Sequence, residues 1–181
     1  MICPASHFTP VEIVVDLLKD ITFVSGDVTL EPCAGRENRF YNLIPGNKQR
    51  CEIEDGLDFF QYSGSPTKII TNPPFHDQNK KNICISVLEH CFKVCTDECW
   101  FLLNNQMVNS LTPCRLHKYL KAGWKMIFLR LLNIPCWYGR YSWVCFKKGA
   151  WTISEGKSFC ILDGRLPSDR KSAEMVHGVD P

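Results

Sequence analysis

Charge of one sign is scarce in this chain: its 181 residues carry a formal net charge of +2. Composition therefore gives no chain-wide pull on a polyanion, although a local basic patch remains compatible with it. Lys80 with Lys81, and Lys118, Lys121 and Lys125, are the patches on offer, and the same residues suit solvated helix faces and loops. A basic start followed by an apolar run is missing, as is any apolar stretch long enough to span a bilayer. The expectation is a chain without a secretory signal, without a membrane partner and with a cytoplasmic location. There is no internal repeat, no low-complexity run and no sign of a second domain.

Cysteine, by contrast, is abundant, at 11 residues, yet no Cys-x-x-Cys pair and no paired Cys/His knuckle occurs. That leaves a zinc site without its usual spacing, and no metal is expected. Without a secretory signal a disulfide framework is excluded as well. The expectation is buried free thiols packing as small apolar groups. Cys91, Cys95 and Cys99 recur every four residues, which suits one side of a helix running into the next strand.

Hydrophobic residues make up 45% of the chain, enough to fill one core. One domain is expected over 1–164, followed by a polar, loosely attached tail over 165–181. Apolar residues at helical intervals predict a helix over Val11–Ile21, with Thr9 as N-cap and Pro10 as first helical residue. Strands are expected over Asp27–Leu30, Arg50–Ile53, Thr67–Thr71, Trp100–Leu103, Lys125–Leu132 and Tyr141–Lys147. Further helices are expected over Glu37–Leu43, Ile83–Val94 and Leu116–Lys121, the last stopped by Gly123. Strands alternating with helices and closing on two successive strands predict an α/β fold: a Rossmann-like, mostly parallel sheet with an antiparallel edge.

In such sheets ligands sit beyond the carboxyl ends of the strands, where strand order reverses. Three segments finish expected strands with suitable residues. Glu31-Pro32-Cys33-Ala34-Gly35 combines small residues, which allow close backbone approach, with a carboxylate able to meet a cationic amino group. Glu52-Ile53-Glu54 places an acid where both hydroxyls of a ribose can be gripped. In Asn72-Pro73-Pro74-Phe75 two prolines remove two donors and stiffen the turn. The Asn72 amide oxygen and a neighbouring carbonyl can then accept both N–H bonds of one amino group, while Phe75 stacks on the ring that carries it.

This ordered set resembles the class I amino-group methyltransferases, most closely the adenine-N6 DNA methyltransferases of gamma-type motif order. Phe8-Thr9-Pro10 resembles the motif that leads into the first helix, and Leu30 to Gly35 the first cofactor-binding motif. Glu52-Ile53-Glu54 and Asp58-Phe59-Phe60 resemble the next two, and Asn72-Pro73-Pro74-Phe75 the catalytic one. The run from Glu52-Ile53 to Asp58-Phe59-Phe60 is similar to that of short phage and viral members, for which host cytoplasm or nucleus is the implied location. The resemblance implies S-adenosyl-L-methionine as cofactor, held by Thr9, Pro10, Glu31, Pro32, Cys33, Ala34, Gly35, Glu52, Ile53, Asp58, Phe59 and Asn72. By the same resemblance Glu31 takes the methionine amino group, Glu52 the ribose, and Asp58 with Phe59 the adenine. Asn72, Pro73, Pro74 and Phe75 are then catalytic, and the methyl acceptor is adenine N6 of a flipped-out base in DNA.

Glu37 stands where the motif usually has its second glycine, and only five residues separate Glu52 from Asp58. No separate target-recognition segment is expected, so the resemblance implies that sequence-specific DNA recognition uses a partner subunit or the loops 75–81 and 133–141. Two other readings share these residues. The run Asn72-Pro73-Pro74-Phe75-His76 also suits an RNA methyltransferase, and a similar turn serves protein-amide methylation. A non-catalytic methyltransferase-like binding subunit is the third.

Overall fold

A computed structural model describes residues 8–76, 82–134, 137 and 139–151. The tail over 165–181, Lys80, Lys81 and parts of the loops 75–81 and 133–141 lie outside these residues. The elements run α1 (Val11–Leu18), β1 (Val28–Glu31), α2 (Arg39–Leu43), β2 (Asn47–Arg50), β3 (Lys68–Thr71), α3 (Cys84–Val94), β4 (Glu98–Asn104), α4 (Asn105–Ser110), α5 (Pro113–Lys121), β5 (Trp124–Leu132) and β6 (Tyr141–Lys148). The six strands form one sheet in the order β2-β1-β3-β4-β6-β5. β1 pairs in parallel with both β2 and β3, and β3 with β4. β6 runs antiparallel to β4 and β5, so the antiparallel edge of the sheet is the β5–β6 pair. The α/β expectation holds, and no described helix is long and apolar enough to cross a membrane.

Burial explains the pattern. β3 is covered on both faces and β4 is buried from Cys99 to Leu103, which is why these strands read as apolar runs rather than alternations. On one face, Val87, Leu88, Cys91 and Phe92 of α3 pack against Leu30, Ile69, Phe101 and Phe146 of the sheet. Phe92 stacks on Trp124 with ring centres 4.7 Å apart. On the other face, Val14 and Leu17 of α1 and Phe40 of α2 pack against Ile70, Trp100 and Trp143. The cysteine series follows this packing: Cys91 lies on α3, Cys95 caps it and Cys99 enters β4, all three fully buried.

Two expectations are corrected and one element is added. The second strand is Asn47–Arg50, not Arg50–Ile53, and Ile53–Asp55 is a single 3-10 turn. Asn-Lys-Gln-Arg has no apolar alternation because it forms a half-exposed edge, fixed by register with β1 rather than by its own side chains. Thr9 does not cap α1. Pro10 takes the N-cap position without a side-chain bond, and its carbonyl accepts from the amides of Ile13 and Val14. Finally, α4 was not foreseen. It starts from Asn104, whose side-chain oxygen accepts from the Met107 amide at 2.9 Å, a capping signal hidden at the end of an apolar strand.

Below the site, at the start of β1 and β3, Lys68 and Asp27 form a buried ion pair of 2.9 Å. Thr67 adds its hydroxyl to the same carboxylate at 3.1 Å. Removing one partner leaves an uncompensated charge in the core. Lys68→Met should therefore lower stability by about 3–5 kcal/mol. Adding Asp27→Asn should recover much of that loss, read from urea unfolding midpoints.

Candidate active site at the strand switch

The chain leaves β1 for β2 on one side and returns to β3 on the other, so the strand order reverses between β1 and β3. Segments that follow neighbouring strands diverge there and open a crevice at the carboxyl ends. A cavity of about 520 Å3 occupies this position.

Each wall follows from local sequence. After β1, Glu31 is buried and Gly35 turns at φ +65°, a left-handed conformation that glycine adopts without strain. The Phe8 ring lies 3.6 Å from where a Gly35 side chain would begin, so the segment before α1 closes tightly over the turn. After β2 the crossover holds no α-helix. Two 3-10 turns replace it, each started by an acid: the Glu52 carboxylate accepts from the Glu54 amide at 3.3 Å, and Asp58 from the Phe60 amide at 2.9 Å. Both acids line the cavity, and Ile53, Leu57 and Phe60 stand exposed at its rim.

After β3, Pro73 is buried, Phe75 is half-buried and Pro74 is exposed. The Asn72 side-chain amide donates to the Thr9 hydroxyl at 3.3 Å, while its Oδ1 is buried and has no hydrogen-bond partner. A buried acceptor left open is costly unless something else supplies the donor. Thr9 thus belongs to the cavity wall and is itself buried.

No family model matches the chain, and no curated protein does. Solved structures do resemble it. A Listeria monocytogenes protein assigned to the class I S-adenosylmethionine-dependent methyltransferases aligns over 92% of this chain and 69% of its own, with a TM-score of 0.60 and 13% identity. The 23S rRNA methyltransferase ErmE aligns over 92% and 87%, with a TM-score of 0.60 and 10% identity. Magnesium protoporphyrin IX methyltransferase from Synechocystis, in a structure with bound SAM, aligns over 76% and 77%, at 0.52 and 8%. The fold is that of the class I methyltransferases. At these identities it is the architecture that is shared, and chemistry has to be argued from this chain's own residues.

Within this methyltransferase fold, the residues singled out by sequence converge on one cavity. Thr9, the Glu31–Gly35 turn, Glu52, Ile53, Asp58, Phe59 and the Asn72–Phe75 turn all line it; Pro10 does not. Sequence reasoning missed Arg39 and Phe40, from the first turn of α2, and Ile83 and Val87, from the start of α3. None of these four stands in a motif; only the fold delivers them. Phe8 and Phe60, which stand within motifs without an expected site role, line the cavity too, as does Leu57 between two motifs.

The cavity is acidic. Burial pushes the Glu31 carboxyl up to about 8, helped by the nearby Glu52 charge and opposed by the Tyr41 amide and Arg50. The Tyr41 N–H donates to Glu31 at 2.6 Å, a single bond for a group almost wholly removed from water. In the ligand-free protein Glu31 holds its proton longer than it would in the unfolded chain. Its contribution to stability is therefore fully present below the ordinary glutamate range and is lost as pH rises from about 4.5 to about 8. Glu31→Gln should remove that contribution: unfolding in urea at pH 5 and pH 8.5 should differ less for the variant than for the parent protein, by up to several kcal/mol.

Proposed function

We propose that this chain is an S-adenosylmethionine-dependent N-methyltransferase acting on the exocyclic amino group of a nucleobase, with adenine N6 in DNA as the first substrate to test. One observation carries the reading: a buried Asn72 Oδ1 without a partner, held beside Thr9 on the wall of an acid-lined crevice.

The donor set fits the cofactor. Glu31, Glu52 and Asp58 suit an ammonium group, ribose hydroxyls and an adenine amino group respectively. Among the described residues Arg39 is the one basic side chain along this wall, and it already faces Glu37, so the acidic part of the pocket suits a cationic cofactor better than a phosphate-bearing one. Bound there, S-adenosylmethionine supplies an electrophilic methyl group. The protein's part is acceptance and alignment. Asn72 Oδ1 and the Pro73 carbonyl accept the two hydrogens of the amino group, which draws its nitrogen lone pair out of conjugation. Phe75 stacks on the ring and keeps water away. Alignment of this kind contributes on the order of 7–11 kcal/mol.

DNA is favoured by the motif order in the sequence. RNA is the second reading, favoured by the fold shared with a 23S rRNA methyltransferase and by an exposed His76 directly after Phe75. Transfer of labelled methyl groups from S-adenosylmethionine to DNA and RNA, with mass analysis of the nucleosides, separates them. Asn72→Ala should reduce transfer by about 10²–10³-fold, as for loss of one preorganised partner of a developing charge. Transfer to neither polymer sinks the reading.

Cofactor affinity should also depend on pH. An ammonium group selects the ionised form of Glu31, so below about 8 binding must release the Glu31 proton. Affinity should rise roughly tenfold per pH unit between 6 and 7.5, and calorimetry in buffers of different ionisation enthalpy should register the released proton.

A further inference from the structure

We propose that Arg39 is a positioning residue, which sets the Asn72 carboxamide by clamping Thr9 from the first turn of α2. The proposal rests on the reading of Asn72 given above, and it gives a role to Arg39, which no motif in the sequence points to.

The clamp is built from consecutive contacts. Arg39 Nη1 donates to the Thr9 carbonyl at 2.9 Å. Its Nε donates to the Glu37 carboxylate at 2.6 Å, and Nη2 pairs with the same group. The guanidinium also lies 5.9 Å from the centre of the Phe8 ring. Three features of one planar group are thus used at once, which a lysine cannot imitate. Thr9 is held by its backbone on one side and offers its hydroxyl to Asn72 Nδ2 at 3.3 Å on the other.

The physical need is plain. A carboxamide joined to its backbone by two rotatable bonds loses directional value unless its far end is tied. With Thr9 held, the Asn72 nitrogen is occupied, and its buried Oδ1, which has no donor, is the acceptor left open. The hydroxyl lies 63 residues away in sequence, on a segment that precedes α1, so something must hold that segment down. Phe8 over Gly35 supplies packing and Arg39 supplies direction. Glu37 gains a role here as well. The place where related motifs carry a second glycine holds instead the carboxylate that orients the clamp.

The test uses the full chain labelled with 15N-asparagine, with the Asn72 side-chain NH2 signal assigned by its loss in Asn72→Ser. In the parent protein this signal should be dispersed and slow to exchange with solvent. Arg39→Ala and Thr9→Val should each shift it and speed its exchange severalfold, Arg39→Lys should not restore it, and Thr9→Ser should restore most of it. On the activity side, kcat should fall about 10-fold in Arg39→Ala and in Thr9→Val, with cofactor Kd changed less than about 3-fold. The double variant should be no worse than Thr9→Val alone, the non-additivity expected of residues acting through one bond. An Asn72 signal unmoved by Arg39→Ala, in protein that thermal unfolding shows to be folded, overturns the clamp. If the parent protein transfers no methyl group at all, the functional reading fails, while the NMR arm still decides whether Arg39 sets Asn72.

Discussion

Parallel pairing of β1 with both β2 and β3 is the constraint from which the site follows. Because β1 is hydrogen-bonded on both edges, the segments leaving it, β2 and β3 are delivered side by side at one end of the sheet. Glu31, Glu52 and Asn72 belong to three separate stretches of sequence and line one cavity for that reason. The helices fix the remaining walls. α1 and α2 pack on one face and bring Phe8, Thr9 and Arg39 across the opening, while α3 on the other face contributes Ile83 and Val87.

The parts of this arrangement that were legible in the sequence are those where one physical cause dominates. β3 and β4 read as strands because they are buried nearly throughout, and α3 reads as a helix because one face of it is. The Asn-Pro-Pro-Phe turn was visible because two consecutive prolines after an apolar run admit few structures. β2 was misplaced by three residues because an edge strand of polar residues owes its position to its partner. α4 was missed because its cap sits inside what reads as the end of a strand. Thr9 shows how local rules can mislead: Thr-Pro before an apolar run suggests a helix cap, but tertiary contact claims its hydroxyl for Asn72. Arg39 lay beyond sequence reasoning for a similar reason, since its partners Thr9 and Phe8 lie some 30 positions away.

Electrostatics and packing act in opposite directions at Glu31. The fold hides a carboxylate from water and gives it one amide, which raises its affinity for a proton. A cationic partner would relieve that cost. The same holds for Asn72, whose oxygen is buried without a donor. A buried carboxyl with one donor and a buried amide oxygen with none leave the cavity with unmet polar groups at the expense of local stability.

The proline turn has a further meaning. Pro73 and Pro74 have no amide hydrogens, and the unpartnered end of Asn72 is an oxygen, so the polarity of this wall is one-sided. A flat ring presenting an amino group meets acceptors with donors. The same ring with a carbonyl in that position, as a deaminated base would have, sets oxygen against oxygen in a place sheltered from water. Under the proposed function, discrimination between the two follows from what the backbone lacks, without any residue dedicated to rejecting the wrong base.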